Sequence, residues 1–150
     1  MHIRIRGTIP KASGLGSSAA LSVALCGALQ QIRNEAIDPV HASVLSHLAE
    51  AEAQGGRASP MDTATSSLGG FVVLSDAIEE SLDYIETRTM DVNGETRQWH
   101  LHTFNAQIPE GVALVVGNTG VRGSTSAMVN QAVSYTHLTP ADDMQCVDLG

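Results

Sequence analysis

The chain of 150 residues is long enough for one domain with a sizeable core, and its 43% apolar and 16% charged residues argue against disorder. A formal net charge of −8, with Lys11 as the only lysine, argues against a general nucleic-acid or anionic-membrane surface. The two cysteines, Cys26 and Cys146, suggest no disulfide framework. The sequence shows no pattern of a membrane span or a signal peptide, so we expect a cytoplasmic protein.

The first elements are a strand and a helix. Alternation predicts a strand over 2–6, with Ile3 and Ile5 on one face. A loop rich in glycine and serine follows and leads into a helix over 17–33. The broad apolar face of this helix predicts thorough burial, with Cys26 as a small buried hydrophobe.

A second helix is predicted over 39–53. Asp38-Pro39 is typical of a helix start, because aspartate caps the helix and proline suits its first position. Gly55-Gly56 ends the helix. The residues expected to face the core have helical spacing: Val40, Val44, Leu45, Leu48 and Ala49.

The second half of the chain is richer in strands. A short helix is predicted near Pro60 and another near Ser124. Asn93-Gly94 is a hairpin signal between the strands predicted over 83–88 and 97–104. Because helices and strands do not alternate regularly, an α+β fold is favoured. The predicted strands lie over 71–74, 83–88, 97–104 and 112–116.

Histidine and tryptophan raise a separate question. His100 and His102 share one strand face, but no other residue with metal-ligand spacing accompanies them. Exposed histidines are therefore expected, and Trp99 is interpreted as a packing residue.

The stretch "PKASGLGSSAALSVAL" over 10–25 carries the first chemical signal. A glycine-rich turn into a helix presents the first backbone N–H groups of the helix outward, which suits a phosphate. Serine hydroxyls there can add hydrogen bonds or bind magnesium. Capping of the helix by Ser17 or Ser18 explains the composition equally well, so both interpretations stay open.

This stretch resembles the phosphate loop of the GHMP kinases, Pro-x-x-x-Gly-Leu-Gly-Ser-Ser-Ala. The family includes galactokinases, homoserine kinases, mevalonate kinases and phosphomevalonate kinases. Two further segments, 58–70 and 115–129, resemble mevalonate kinase segments in their archaeal form, so the resemblance runs from Ile3 to about Val133. It implies that ATP is bound by Pro10, Lys11, Gly14, Leu15, Gly16, Ser17, Ser18 and Ala19.

The resemblance also implies catalytic and metal-binding roles. Asp62, which would be interpreted as a helix cap if it stood alone, matches the catalytic aspartate that faces the substrate hydroxyl. Thr125 matches a threonine near the transferred phosphate, whereas Arg122 lies one place from the basic residue of some relatives. Mg²⁺ would be bound by Ser18 and Glu52, with Glu50 as the alternative glutamate.

The implied fold is the GHMP kinase N-terminal domain, which is ribosomal protein S5 domain 2-like and α+β. We expect this domain over 1–109, incomplete at its start so that Met1 is internal, and the start of the C-terminal domain over 110–133. A tail foreign to the fold is expected over 134–150, since the helical stripe stops there and "SYTHLTP" resembles peptides at the ends of unrelated gene predictions.

The implied activity is ATP-dependent phosphorylation of mevalonate to 5-phosphomevalonate. The expected partners are ATP and mevalonate, with Mg²⁺ and a possible homodimer, and neither nucleic acid nor membrane. We expect the fragment to be inactive alone. The alternatives are phosphomevalonate kinase, another GHMP small-molecule kinase, or a catalytically dead nucleotide-binding remnant.

Overall fold

The computed structural model describes residues 2–10, 13–56, 58–92, 94–113 and 115–117. Three helices precede three strands within the compact unit of residues 16–116, an order that confirms the α+β prediction. In these ranges no helix has the length and apolar character needed to cross a membrane. The elements are α1 (Ser17–Ile32), α2 (Pro39–Ala53), α3 (Met61–Leu68), β1 (Phe71–Ser75), β2 (Asp83–Val92) and β3 (Glu95–Phe104).

The ends of α2 follow the local sequence signals. The Asp38 carboxylate accepts a hydrogen bond of 3.1 Å from the backbone N–H of His41, and Pro39 occupies the first helical position. At the other end Gly56, with a φ of 80°, donates its N–H to the Ala51 carbonyl at 2.7 Å. Glycine adopts this left-handed conformation without steric cost, so the predicted bounds of α2 are confirmed.

The three strands form an antiparallel sheet in the order β1–β3–β2. The predicted hairpin is confirmed, since Val92 pairs with Glu95 across the turn. On the other edge Phe71 pairs with Phe104, and their rings stack with centroids 5.0 Å apart. The strands predicted over 71–74, 83–88 and 97–104 are therefore confirmed, and the hairpin strands extend further toward their turn.

The buried face of α2 is polar, contrary to the sequence prediction. Leu45 and Leu48 are exposed, whereas the buried residues are Ala42, Ser43, Ser46, His47, Glu50 and Ala51. Small side chains let the neighbouring helix approach closely, as the 3.4 Å distance from Ser46 Oγ to Cys26 Sγ illustrates. Apolar spacing identified a helix but selected the wrong face as its core.

α1 is less buried than its apolar sequence predicts. Leu21, Leu25 and Leu29 are exposed, Cys26 is half-buried, and only Ala19 and Gln30 are fully inside. The side of α1 that faces α2 and α3 consists mainly of small residues, which permit close helix–helix contact. The prediction of thorough burial is therefore wrong for the described residues.

A buried guanidinium joins the sheet to α2. Arg88 of β2 is 6% exposed and donates to Ser43 of α2, at 3.2 Å to the hydroxyl and 3.4 Å to the carbonyl. The same side chain forms an ion pair with Glu86. The contacts with Glu86 and Ser43 provide acceptors for most of the guanidinium N–H groups, which would be costly to bury without partners.

Two predicted strands are absent from the described residues. Residues 2–10 form no strand, and neither do 112, 113 and 115–117. Alternating or apolar sequence makes a strand only where a partner supplies hydrogen bonds, and the sheet pairings of β1, β2 and β3 include neither segment. The helix predicted near Ser124, the tail over 134–150 and Cys146 lie outside the described residues.

The expectation of exposed histidines is wrong for His102. Its ring is fully buried in β3, and its Nε2 accepts a hydrogen bond of 3.0 Å from the backbone N–H of Glu79. The Tyr84 ring packs edge-on against it at 5.7 Å. An aromatic neighbour and a backbone donor thus explain this histidine without a metal.

Replacing Arg88 with alanine is expected to lower the free energy of unfolding by about 3 kcal/mol, because the substitution leaves Ser43 and Glu86 without their buried partner. Urea denaturation of both proteins measures the change. Arg33→Ala is the control, since the ion pair of Arg33 with Glu35 is exposed and its loss should change stability by no more than about 0.5 kcal/mol. Equal effects of the two substitutions would contradict the structural role of Arg88.

Candidate active site

The N-terminus of α1 begins at a left-handed glycine. Gly16 is the capping residue, with φ 62° and ψ 27°, and no side chain caps the helix among the described residues. The interpretation of Ser17 or Ser18 as a simple cap is therefore wrong. Ala19 is fully buried, whereas Ser18 is exposed. The first N–H groups of α1 are consequently not taken up by a local cap, and an exposed hydroxyl lies beside them.

Asp62 occupies the first turn of α3. The N-cap residue of α3 is Pro60, which makes no side-chain cap hydrogen bond, so Asp62 is not the cap that an isolated aspartate would suggest. The backbone around it is held by neighbours: Ser59 Oγ accepts from the N–H of Met61 at 3.3 Å, and Thr63 Oγ1 donates to the Pro60 carbonyl at 3.1 Å. Thr63 is fully buried, while Asp62 is exposed.

The structure brings Gly16 and Asp62 together. A β-carbon built on Gly16 would lie 3.8 Å from both Cγ and Oδ2 of Asp62. The carboxyl group therefore sits against the N-terminus of α1, where the helix dipole favours negative charge. Gly16 and Asp62 are therefore neighbours, although 46 positions separate them in the sequence. The resemblance assigned both residues to one site.

The loop before Asp62 is anchored by His47 of α2. The fully buried His47 ring places Nε2 at 3.1 Å from the Ala58 carbonyl oxygen. Since a carbonyl only accepts, Nε2 carries the proton, and Nδ1 is left as a buried acceptor without a partner in the described part of the chain. Trp99 of β3 packs edge-on against the ring at 5.8 Å.

Burial lowers the pKa of His47 below its usual 6.5, and the positive charge of Arg88 lowers it further. The hydrogen bond to Ala58 and the charge of Glu86 oppose this shift only in part. Sequence reasoning missed His47. The only signal was its position three residues from Glu50 and four from Ser43, which gives all three one helix face.

The two candidate glutamates of α2 lie in different surroundings. Glu50 is buried on the face that carries Ser46 and His47, whereas Glu52 is exposed. Glu52 lines an open cleft of about 430 Å³ together with Met90 and Asp91 of β2. No residue of the α1 N-terminus or of α3 lines that cleft.

The antiparallel packing of α1 and α2 locates Glu50 along α1. Gln30 Nε2 lies 3.4 Å from His41 Nδ1, and Cys26 Sγ lies 3.4 Å from Ser46 Oγ. Glu50 lies four residues after Ser46 in α2, and Ser22 lies four residues before Cys26 in α1. Because the two helices run antiparallel, Glu50 is level with Ser22. At 1.5 Å per residue this is about 6 Å along the axis from Ser18. Glu50 is therefore on the buried face of α2, at a level about one helical turn from Ser18 along α1.

The remaining site residues lie before Gly16 or outside the described residues. Pro10 and Leu15 are exposed, Ser13 Oγ donates to the Pro10 carbonyl at 2.8 Å, and Gly14 has a φ of 74°. The left-handed conformation of Gly14 matches the need for glycine in a tight turn. Lys11, Arg122 and Thr125 fall outside the described residues.

The stability of the protein is expected to depend on pH through His47. The unfolded ring takes up a proton near pH 6.5, whereas the folded ring resists it to lower pH. Between these values the unfolded state binds more protons, so the free energy of unfolding is at its full value above 6.5 and falls as the pH is lowered. Urea denaturation between about pH 7.5 and 5 measures this, and His47→Gln should flatten the dependence. An unchanged slope in the variant would show that His47 does not carry it.

Comparison with known proteins shows what this part of the chain is similar to. The family profile of the GHMP kinases N terminal domain matches residues 1–70, a range that contains Gly16, Glu50 and Asp62. The chain is 41% identical over 101 residues to the mevalonate kinase of Methanothermobacter thermautotrophicus. This match covers 64% of this chain and 33% of that protein.

Two other mevalonate kinases match a longer part of the chain. That of Thermococcus sibiricus is 31% identical over 127 residues, and that of Pyrococcus abyssi 28% over 129 residues. These matches cover 85% and 86% of this chain but 30% and 31% of the relatives, so the chain spans about a third of their length. No solved structure matches it. The first 70 residues thus match the profile of the GHMP kinases N terminal domain, and the chain is similar over most of its length to archaeal mevalonate kinases.

Proposed function

We propose that this chain carries the nucleotide-binding and catalytic-aspartate part of a kinase that phosphorylates mevalonate with ATP. The observation that carries the proposal is the contact between Gly16, at the N-terminus of α1, and the carboxyl group of Asp62. Its relatives named mevalonate kinase support mevalonate as the acceptor. The whole activity belongs to a polypeptide of the length of those relatives.

The N-terminus of α1 is proposed to bind the phosphates of ATP. Its first N–H groups point out of the helix together with the positive end of the helix dipole, and Ser18 offers an exposed hydroxyl beside them. Gly14, with its left-handed backbone, supports a turn in which the chain approaches a phosphate closely. Pro10, Lys11, Leu15, Ser17 and Ala19 join this site by resemblance, and Thr125 is proposed to act near the transferred phosphate.

Asp62 is proposed to receive the proton of the acceptor hydroxyl. As the alcohol oxygen bonds to the γ-phosphorus, the bond from that phosphorus to the leaving oxygen of ADP breaks, and the hydroxyl proton passes to the carboxylate. An exposed side chain on a rigid helix start suits this role, because it can reach a bound substrate while its backbone stays fixed.

The oxygen donors near the α1 N-terminus fit Mg²⁺. The metal prefers carboxylate and hydroxyl oxygens and keeps several waters, so one serine and one glutamate suffice when phosphate supplies further ligands. Ser18 is exposed at the helix start, and Glu50 is on the buried face of α2 about one helical turn from its level. Glu52 faces the cleft with Met90 and Asp91, which favours Glu50 over Glu52 as the ligand. Bound Mg²⁺ would neutralise charge that builds up on the phosphates.

Asp62→Asn is expected to reduce turnover of mevalonate by about 10² to 10⁴-fold, the usual contribution of a general base, in the polypeptide of full length that carries these residues. Affinity for Mg²⁺–ATP should stay within about threefold of the parent, since the α1 N-terminus is unchanged. Steady-state kinetics and calorimetric titration measure the two quantities.

The control for this prediction is Asp76→Asn, which alters an exposed carboxylate in the bend after β1 and should leave turnover unchanged. Near-parental turnover of Asp62→Asn would remove Asp62 from the mechanism. Nucleotide binding without any transfer in the unaltered protein would instead identify a binding remnant. The activity of the 150-residue chain alone is a separate measurement, for which we expect no turnover because acceptor-positioning groups belong to the remaining length.

Glu50→Gln is expected to raise the Mg²⁺ concentration that gives half-maximal activity by about tenfold or more, the effect of losing roughly 1.4 kcal/mol of metal binding. Glu52→Gln is the matched control, with the same chemical change on the same helix, and should shift that concentration by less than about twofold. Both values come from magnesium titrations at saturating ATP. The reverse pattern would assign the metal to Glu52.

A further inference from the structure

We propose that His47 is a positioning residue for Asp62, acting through its hydrogen bond to the Ala58 carbonyl. The inference rests on the proposed role of Asp62, because it concerns how that carboxylate is held in place. The hydrogen bond measures 3.1 Å and joins the middle of α2 to the segment that enters α3. No other side-chain hydrogen bond of the described residues links α2 to the segment 58–62.

The distance in sequence between the anchored carbonyl and Asp62 is short. Only Ser59, Pro60 and Met61 intervene, and the proline ring fixes one of the backbone angles. Ala58 and Pro60 are buried, and the Pro60 carbonyl accepts from both Thr63 Oγ1 at 3.1 Å and the N–H of Ala64 at 2.9 Å. A displacement of the Ala58 carbonyl is therefore transmitted to the first turn of α3 and to the carboxylate.

His47 is itself held by the sheet. Its ring is fully buried and lies edge-on to Trp99 of β3, with ring planes at 84°. One turn earlier in α2, Ser43 accepts hydrogen bonds from Arg88 of β2. Both hairpin strands thus fix the part of α2 from which the imidazole extends, so the donor Nε2 has little freedom to move.

The chemistry of the ring argues for a positioning role over simple space filling. Nδ1 is buried with no partner in the described residues, and an unsatisfied buried polar atom costs about 1–3 kcal/mol. An apolar side chain of similar volume would fill the same space without that cost. What a histidine offers here, and an apolar side chain does not, is a fixed donor directed at a backbone carbonyl near Asp62.

His102 provides a matched comparison within the same molecule. It is also fully buried, also has an unpartnered Nδ1 among the described residues, and also binds one backbone group. Its partner is the N–H of Glu79, which lies between β1 and β2 and not on the path to Asp62. Loss of the His47 ring and loss of the His102 ring remove comparable packing, but only the loss of His47 releases the segment 58–62.

The first test measures the position of Asp62 in the 150-residue chain by NMR. His47→Leu is expected to shift the carboxyl carbon and amide signals of Asp62. It is also expected to raise the hydrogen-exchange rate of the Ala64 amide by about fivefold, which corresponds to the loss of a hydrogen bond of about 1 kcal/mol.

The controls are His47→Gln and His102→Leu. His47→Gln keeps a donor at the position of Nε2 and should restore the parental signals. His102→Leu should leave the Asp62 signals unmoved. Unmoved Asp62 signals in His47→Leu, or equal shifts in both leucine variants, would overturn the proposal.

A second pair of variants keeps the test decisive if His47→Leu fails to fold. The amide of His47→Gln reaches the position of Nε2, whereas the amide of His47→Asn reaches only that of Nδ1. Parental Asp62 signals in the glutamine variant and shifted signals in the asparagine variant support the proposal. Identical Asp62 signals in the two variants contradict it.

The kinetic test separates this inference from the proposed function. In the polypeptide of full length, His47→Leu should lower kcat by about tenfold while KM for ATP changes by less than about twofold, since a misplaced base affects the chemical step. In an Asp62→Asn background the same substitution should have no further effect on kcat. A loss of turnover in Asp62→Asn with an unchanged kcat in His47→Leu would refute the positioning role alone. Unchanged turnover in Asp62→Asn would refute the proposed function, whereas the NMR result tests the His47 contact independently.

Discussion

The buried contact between Arg88 and the backbone of α2 sets the arrangement on which the rest of the described fold depends. A guanidinium can be buried only where acceptors surround it, and here those acceptors are Ser43 of α2 and Glu86 of the same strand. The small Ser43 side chain allows the long arginine to reach the helix backbone. The hairpin of β2 and β3 is thereby fixed against one face of α2, and that face must be polar.

This polar face explains why α2 carries its leucines outward. Ser43, Ser46 and His47 each contact a different neighbour: the sheet, α1 and the loop before α3. Leucines at these positions would bury more apolar area, but they would hold α1 further away and could not bind the Ala58 carbonyl. Close packing through small and hydrogen-bonding side chains is therefore what brings the start of α3 to the start of α1.

Local sequence signals predicted where the elements begin and end. Asp38-Pro39, Gly55-Gly56 and Asn93-Gly94 each act through the conformation of one or two residues, and the structure has helix and strand ends there. Burial depends instead on what lies across the interface. Apolar spacing consequently assigned Leu45 and Leu48 to the core, and alternation at Ile3 and Ile5 predicted a strand that the described residues 2–10 do not form.

The site was predicted in a different way. Nothing local in the sequence relates Gly16 to Asp62, and the resemblance to the GHMP kinases led to the expectation that they meet. The glutamate could not be chosen by spacing, because Glu50 and Glu52 are both near the expected place. The rotation of α2, which follows from the contacts of Ser46 and His47, buries Glu50 and leaves Glu52 exposed, and the proposal of Glu50 depends on this difference in burial.

The meeting of two helix starts also resolves the conflict between the charge of the chain and its proposed ligand. A net charge of −8 repels a polyanion at long range, but solvent and salt screen that repulsion beyond about 8–10 Å. At the site itself the N-terminus of α1 lies beside the first turn of α3, so the positive ends of two helix dipoles meet. Ala19 of α1 and Ala64 of α3 are both fully buried, so neither position has room for a larger side chain. Asp62 adds one negative charge to the same place, which the two dipoles offset. A carboxylate can therefore lie next to the helix end that is proposed to bind phosphate without cancelling the affinity of that end for an anion, and phosphoryl transfer to a hydroxyl requires this pairing.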